Sequence, residues 1–410
     1  MPAEYIHNHY VPQWYQKRFL LPSSKDNMLY LRKLKPETIV DHLGSTHTLF
    51  EVRRRSINQC FVQDDLYTLK FGNNNSTFIE KTFFGAIDRN GRTAVEYWHN
   101  FTHPSIDYNA FQNMMIFLST QKLRTPKGLD WLSDISKSTN PQVVLMTMVN
   151  LRDLYCAIWT ETIWQIADAS NSPTKFIISD HPVTVYNRVC GPRNKKWCRG
   201  ANDPDIRLHG THTIFPLSLN KVLILTNLSW VRNPYQSAIG LRPNPRMLRG
   251  ALFKFTDVQT LRELNEREVR EINFIIKSRA YNYIAAAKKD WLYPERYVSK
   301  SDWNTYGDGY LLMPDPRPAN YGGQVIIGYK DGSSAAIDEY GRMPGDPDYG
   351  HTIDRRNAKY DPLYRFQGEF ARRYGPQRLG RSFNTGKLDN YVDSESMHNY
   401  HLGLDARNLN

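Results

Sequence analysis

Apolar residues recur at helical spacing over residues 107–125. Ala110, Met114 and Phe117 stand four and three apart, and Gln121 and Arg124 continue the same stripe. Intervals of three and four keep side chains on one helical face. The spacing predicts a helix from about residue 107 that stops before Pro126, with two polar residues carried inward at its end. A helix over about 77–100 precedes it, opened by a capping box of Thr77 and Glu80, with Gly85 and Gly91 unfavourable inside it. After a polar loop at 133–140, Pro141 leads a third helix expected to reach about residue 169 and to include Trp159 and Trp164. A final helix starts at Asn265 with Glu268 three residues on, and runs through Val269, Ile272, Ile276 and Tyr283 to about Lys288.

Between 174 and 258 the period changes. The runs TKFIIS, VTVYN, HTIFPLS and KVLILT are short, rich in β-branched residues and separated by Asp, Pro, Asn and Gly, which predicts strands. Shorter strands are expected at 28–33 and 66–70. At the start, HNHYV is extended because the residue before Pro12 is pushed out of helical geometry, and a short helix follows with Tyr15 and Phe19 one turn apart. After residue 291 aliphatic residues thin out and Gly, Pro, Asp, Tyr and Arg take over, leaving one hairpin at QVIIGYK, Asp331–Gly332 and SAAIDEY. The fold class is therefore α+β: a helical N-terminal two-thirds packed with a small mixed or antiparallel sheet, plus an irregular C-terminal extension with one hairpin. Two units are expected, a body over 1–290 and an extension over 291–410 that wraps the body or docks a protein partner.

Charge changes the picture. The chain of 410 residues carries a formal net charge of +12, and residues 301–410 hold 13 basic against 15 acidic side chains, so residues 1–300 carry +14. A body that basic suits a nucleic acid or nucleotide, because Lys and Arg displace counterions condensed on phosphates. Cys60, Cys156, Cys190 and Cys198 show neither CxxC spacing nor a zinc-finger pattern, and free thiols point to a reducing compartment. The N-terminal residues carry no apolar signal region, and no run approaches the roughly 18 apolar residues of a membrane span. The expectation is a cytoplasmic or nuclear protein with no membrane partner.

The segments HYVPQWYQKRF at 9–19, QKLRTP at 121–126, FIISDHPV at 176–183, FPLS at 215–218 and the late Asn-bearing helix together resemble the HYVP family, domain of unknown function 4238. The resemblance covers about residues 7–285 in order and spacing, and it supplies a grouping without an activity. The family pattern usually carries Asn where this chain has His181.

The motif positions also suggest chemistry. His9 precedes a helix N-terminus, where backbone N–H groups favour a phosphate. Arg124 is suited to clamp a phosphate bidentately and Gln121 to orient a substrate or water. Asp180, in a turn between two strands, is suited to ligate Mg²⁺ or Mn²⁺ or to act as a general base. Combined, His9, Gln121, Arg124 and Asp180 would form a metal-assisted phosphodiester hydrolase site. Each also has a structural reading: His9 bound to a backbone carbonyl, Gln121 and Arg124 as a buried polar pair anchoring the N-terminal segment, and Asp180 as an Asx-turn residue. The function classes left open are a nuclease-type enzyme, a non-catalytic nucleic-acid-binding module and an assembly component. Convergence of the four residues in one cleft discriminates between them.

Overall fold

A computed structural model describes residues 7–40, 42–48, 51–64, 66, 69–71, 74–76, 84–101, 108–160, 162–192, 194, 198, 203–206, 208, 211–227, 259–307, 325–328 and 334–337. Among them six α-helices are found: α1 Gln13–Lys17, α2 Gly85–His99, α3 Tyr108–Leu123, α4 Pro126–Ser136, α5 Pro141–Thr160 and α6 Glu266–Arg279. Helix α3 is the centre of the helical layer, with α2, α4 and α5 against it. Its stripe behaves as the spacing requires: Met114, Phe117, Gln121 and Arg124 are all buried. Gly91 of α2 lets α3 approach closely, since a Cβ there would lie 2.4 Å from the Phe117 ring.

Two larger sheets complete the α+β body. A five-stranded sheet runs in the order Thr184–Asn187, Thr211–Pro216, Lys221–Asn227, Thr162–Asp168 and Gln259–Glu263, antiparallel except for the last pair. An antiparallel four-stranded sheet runs Ile178–Ser179, Tyr283–Ala286, Met28–Lys33 and Val52–Ser56. The strand expected at 28–33 lies at Met28–Lys33, and the hairpin pairs Val325–Gly328 with Ser334–Ile337.

Four expectations shift. The helix from Pro141 ends at Thr160, and Trp164 belongs to the strand Thr162–Asp168, matched residue for residue with Lys221–Asn227. A central sheet position with partners on both sides overrides helix propensity. The last helix ends at Arg279, and Tyr283 opens the strand Tyr283–Ala286. Helix α4, for which the spacing gave no expectation, runs four residues into the expected polar loop at 133–140: Thr125 caps it by accepting from the Gly128 N–H at 3.2 Å, and Lys137 closes it with φ 51°. The expected strand near 66–70 is found at Leu69–Phe71. The Thr77 and Glu80 capping box lies outside the described residues, as does most of the C-terminal extension.

Packing continues beyond residue 290. Trp291, Leu292, Trp303 and Tyr306 are buried. The Tyr186 hydroxyl donates to the carbonyls of Trp303 and Tyr306 at 2.5 and 3.0 Å, and the Trp303 indole N–H donates to the Asn187 carbonyl at 2.9 Å.

Candidate functional site

Gln121 and Arg124 meet at the end of α3. The Arg124 Nε donates to Gln121 Oε1 at 2.9 Å, and its guanidinium reaches Asp88 Oδ1 of α2 at 2.8 Å. The Gln121 amide donates in turn to the Tyr10 carbonyl at 2.8 Å. This pair bolts the N-terminal segment to the helical layer, so the polar end of the stripe finds partners as burial demands.

Asp180 stands on another wall. Its carboxylate accepts three backbone N–H groups, from Tyr281 at 2.8 Å, Asn282 at 2.5 Å and Tyr283 at 2.8 Å. Burial pushes its carboxyl up to about 6, against the pull of those three donors and Lys127. The same three bonds explain why α6 stops at Arg279: they redirect the chain into the strand that follows. Lone pairs aimed at three N–H groups leave Asp180 a poor metal ligand, and among the described residues no group of three or more His, Cys, Asp or Glu is arranged to hold a metal ion.

Between these walls lies a buried polar junction that the sequence pattern does not signal. Asp203 receives Lys127 Nζ at 2.7 Å on one oxygen and Lys122 Nζ at 2.8 Å on the other. The Lys122 ammonium also lies 3.0 Å from His181 Nε2, and the His181 Nδ1 lies 2.7 Å from the Thr125 hydroxyl. Burial, reinforced by the Lys122 charge, holds the His181 imidazole down at about 3. The same Nε2 lies 3.1 Å from Asp203 Oδ2, so the ring is held between the Lys122 ammonium, the Asp203 carboxylate and the Thr125 hydroxyl. Burial opposes the Asp203 charge, yet the two ammonium groups outweigh it and hold the carboxyl well below its ordinary value. Burial lowers Lys127, which Asp203 counteracts.

His9 faces elsewhere. Its Nε2 is 3.0 Å from the Asn58 carbonyl oxygen and 3.0 Å from the Gln13 amide. The ring lines an open groove of about 750 Å³ beside the four-stranded sheet, with Arg53, Arg55, Lys33 and Tyr283 on its walls and Tyr10 and Phe61 at its base. Arg53 and Arg55 alternate with Arg54 on the edge strand Val52–Ser56, so strand geometry puts the first two on the groove side. Arg54 pairs with Asp26 and lies 6.0 Å from the Tyr30 ring on the other face. The two groove carboxylates have cations of their own: Glu37 pairs with Lys33, and Glu51 with Arg32. The structure thus joins Gln121 with Arg124, places His9 in the groove and gives Asp180 to the 281–283 backbone.

Residues 7–144 and 148–290 match the model of a family described as protein of unknown function, DUF4238. The chain belongs to this family. No curated protein and no solved structure is significantly similar to it. Within the DUF4238 match, the segments that are distant in sequence clasp one another. The Tyr15 hydroxyl donates to the Pro216 carbonyl at 2.6 Å, its ring stacks on Phe215 at 5.0 Å, and Arg18 Nε donates to the Leu217 carbonyl at 2.7 Å. Asn273 of α6 accepts from the Ile177 N–H at 3.1 Å and donates to the Lys175 carbonyl at 2.9 Å. In this DUF4238 chain those side chains close the fold. Arg53 and Arg55 line the groove, and the three consecutive arginines of VRRRS show no alternation that would have singled out those two from the sequence.

Proposed function

We propose that this DUF4238 chain is a binding module that holds the phosphates of single-stranded nucleic acid along the groove beside the four-stranded sheet. The observation that carries the reading is the pair Arg53 and Arg55 on one side of an edge strand, both lining the groove. Two strand residues span about 7 Å, which suits successive phosphates of an extended strand. Tyr283, half-buried in the groove wall, offers a ring on which a base can stack. The +14 charge of residues 1–300 supplies the long-range attraction.

A nuclease-type reading rests on one observation, the His9 imidazole in the same groove, where a general base would need to be. The experiment separates the two. A labelled single-stranded oligonucleotide is titrated with protein at several salt concentrations, and recovered intact or cleaved. Binding without cleavage is expected. Arg53→Glu with Arg55→Glu should weaken it and flatten the log–log salt dependence by about 1.4, from about 0.7 per phosphate contact. Unchanged affinity in that double variant overturns the reading. Cleavage by the natural sequence and none by His9→Gln replaces it with the enzymatic one.

A further inference from the structure

Away from the groove, two thiols are held face to face. Cys190 follows the strand Thr184–Asn187 and Cys198 lies farther along the same loop, and their Sγ atoms are 2.8 Å apart. Both are fixed by backbone bonds, Cys190 N–H to the Asn187 carbonyl at 3.2 Å and Cys198 N–H to the Asn194 carbonyl at 2.9 Å. Arg279, the last residue of α6, holds the pair from one side. Its guanidinium donates to the Cys190 carbonyl at 2.6 Å and to the Cys198 Sγ at 3.4 Å, and lies 5.0 Å from the Trp303 ring. Both are buried, Cys190 at 0% and Cys198 at 9% exposure, so Cys198 is the less enclosed of the two.

We propose that Cys190 and Cys198 form a reversible dithiol–disulfide couple in which Cys198 attacks a hydroperoxide and Cys190 resolves the product. The hydrogen bond from Cys190, with the Arg279 charge beside it, favours the Cys198 thiolate, while the Cys190 thiol is pushed up by that bond and by burial. In the first step the Cys198 sulfur takes the distal peroxide oxygen, the O–O bond breaks, and the remaining alkoxide or hydroxide leaves with a proton. Cys198 is then a sulfenic acid. In the second step the Cys190 sulfur attacks the Cys198 sulfur, the S–S bond forms, the S–O bond breaks, and the hydroxyl departs as water with the Cys190 proton. The peroxide is reduced by two electrons and the two thiols supply them. A small thiol reverses the reaction by exchange. Cys60 is a contrast: burial pushes its thiol up to about 12, outweighing the Arg55 charge that pulls it down.

The full chain, reduced and freed of reductant, is treated with a small excess of hydrogen peroxide, blocked with an alkylating agent and mapped without reduction by mass spectrometry. The expected product has Cys190 and Cys198 linked, the pair lighter by two hydrogen atoms than the two thiols, with Cys60 and Cys156 alkylated, and the link is lost on adding dithiothreitol. Cys190→Ser should trap a sulfenic acid at Cys198 that reacts with dimedone, whereas Cys198→Ser should give no adduct at Cys190. Recovery of both residues as alkylated thiols, or peroxide reacting with Cys60 as readily as with Cys198, overturns the proposal. The mapping of the natural sequence decides the matter even where a serine variant fails to fold.

Discussion

Replacing Asp203 by Asn removes one negative charge from between two buried ammonium groups, and the consequence can be worked out from the contacts. Lys122 and Lys127 have side chains only 7% and 2% exposed, and Asp203 lies within 2.8 and 2.7 Å of their nitrogens. Breaking a buried ion pair by removing one partner costs about 3–5 kcal/mol, because the remaining charge keeps its desolvation penalty without its partner. Two ammonium groups lose that partner here, while the 16% exposure of Asp203 lets water recover part of the loss. A destabilisation of about 4 kcal/mol is expected at neutral pH, a large fraction of the ~5–15 kcal/mol that holds a domain together. The Asn oxygen retains one neutral hydrogen bond, which is too weak to offset this.

The pH dependence gives an independent check on the cause. Burial already lowers Lys127, and Asp203 is what holds it up. Without the carboxylate the folded state sheds a lysine proton at lower pH than the unfolded chain does. The unfolded state then binds more protons, so stability rises with pH. The variant's deficit should therefore narrow between neutral and mildly alkaline pH, while in the natural sequence the depressed Asp203 carboxyl keeps its contribution until the pH falls below the ordinary carboxylate range. Urea unfolding followed by tryptophan fluorescence at pH 7 and pH 9.5 measures both. Replacing the whole cluster, Lys122→Met and Lys127→Met with Asp203→Leu, should cost less than Asp203→Asn alone. A deficit under about 1 kcal/mol at pH 7, or one that is equal at both pH values, would refute the reasoning.

Two further outcomes follow from burial. His181 and His212 are both held down at about 3 by burial, so the unfolded chain takes up protons below about 6.5 that the fold refuses. Each removes about 1.4 kcal/mol per pH unit as the pH falls, while Asp180, raised to about 6, opposes with a similar slope above its ordinary value. The net acid loss between pH 6 and 4 should match one histidine, and His212→Gln should flatten it in urea titrations; an unchanged slope contradicts the assignment. Truncation after residue 290 removes Trp303 and Tyr306 and should cost several kcal/mol, at about 3–5 per large buried aromatic, whereas truncation after residue 307 should leave the thermal unfolding of the body unchanged. Equal melting of the two truncated chains would show that 291–307 is not part of the core.

What the sequence made legible is what local spacing determines. The stripe of α3 and the Asn265 capping box are each written within a few consecutive residues and stand in the structure where the spacing puts them, and the strands on either side of Asp331–Gly332 pair as a hairpin, the turn itself lying outside the described residues. The strand Thr162–Asp168 was illegible because its apolar residues Ile163, Trp164, Ile166 and Ala167 follow directly on the apolar pattern of α5 and lengthen a helix pattern as easily as they begin a strand. The end of α6 was illegible for a different reason: the carboxylate that captures the 281–283 N–H groups comes from Asp180, a hundred residues away in the chain. The polar junction combines both difficulties. Lys122 and Lys127 look like solvent-facing lysines until the turn from α3 into α4 buries them, and nothing near Asp203 marks it as their partner. The same logic bears on the motif residues. Side chains such as Gln121, Arg124 and Asp180 were open to a catalytic and a structural reading because both require polar groups buried by distant elements. The distinction lies in whether their hydrogen-bonding atoms face backbone or a groove. Asp180 gives its oxygens to backbone N–H groups and Gln121 reaches a backbone carbonyl; His9 also meets a backbone carbonyl, that of Asn58, while its ring lines the groove together with Arg53 and Arg55.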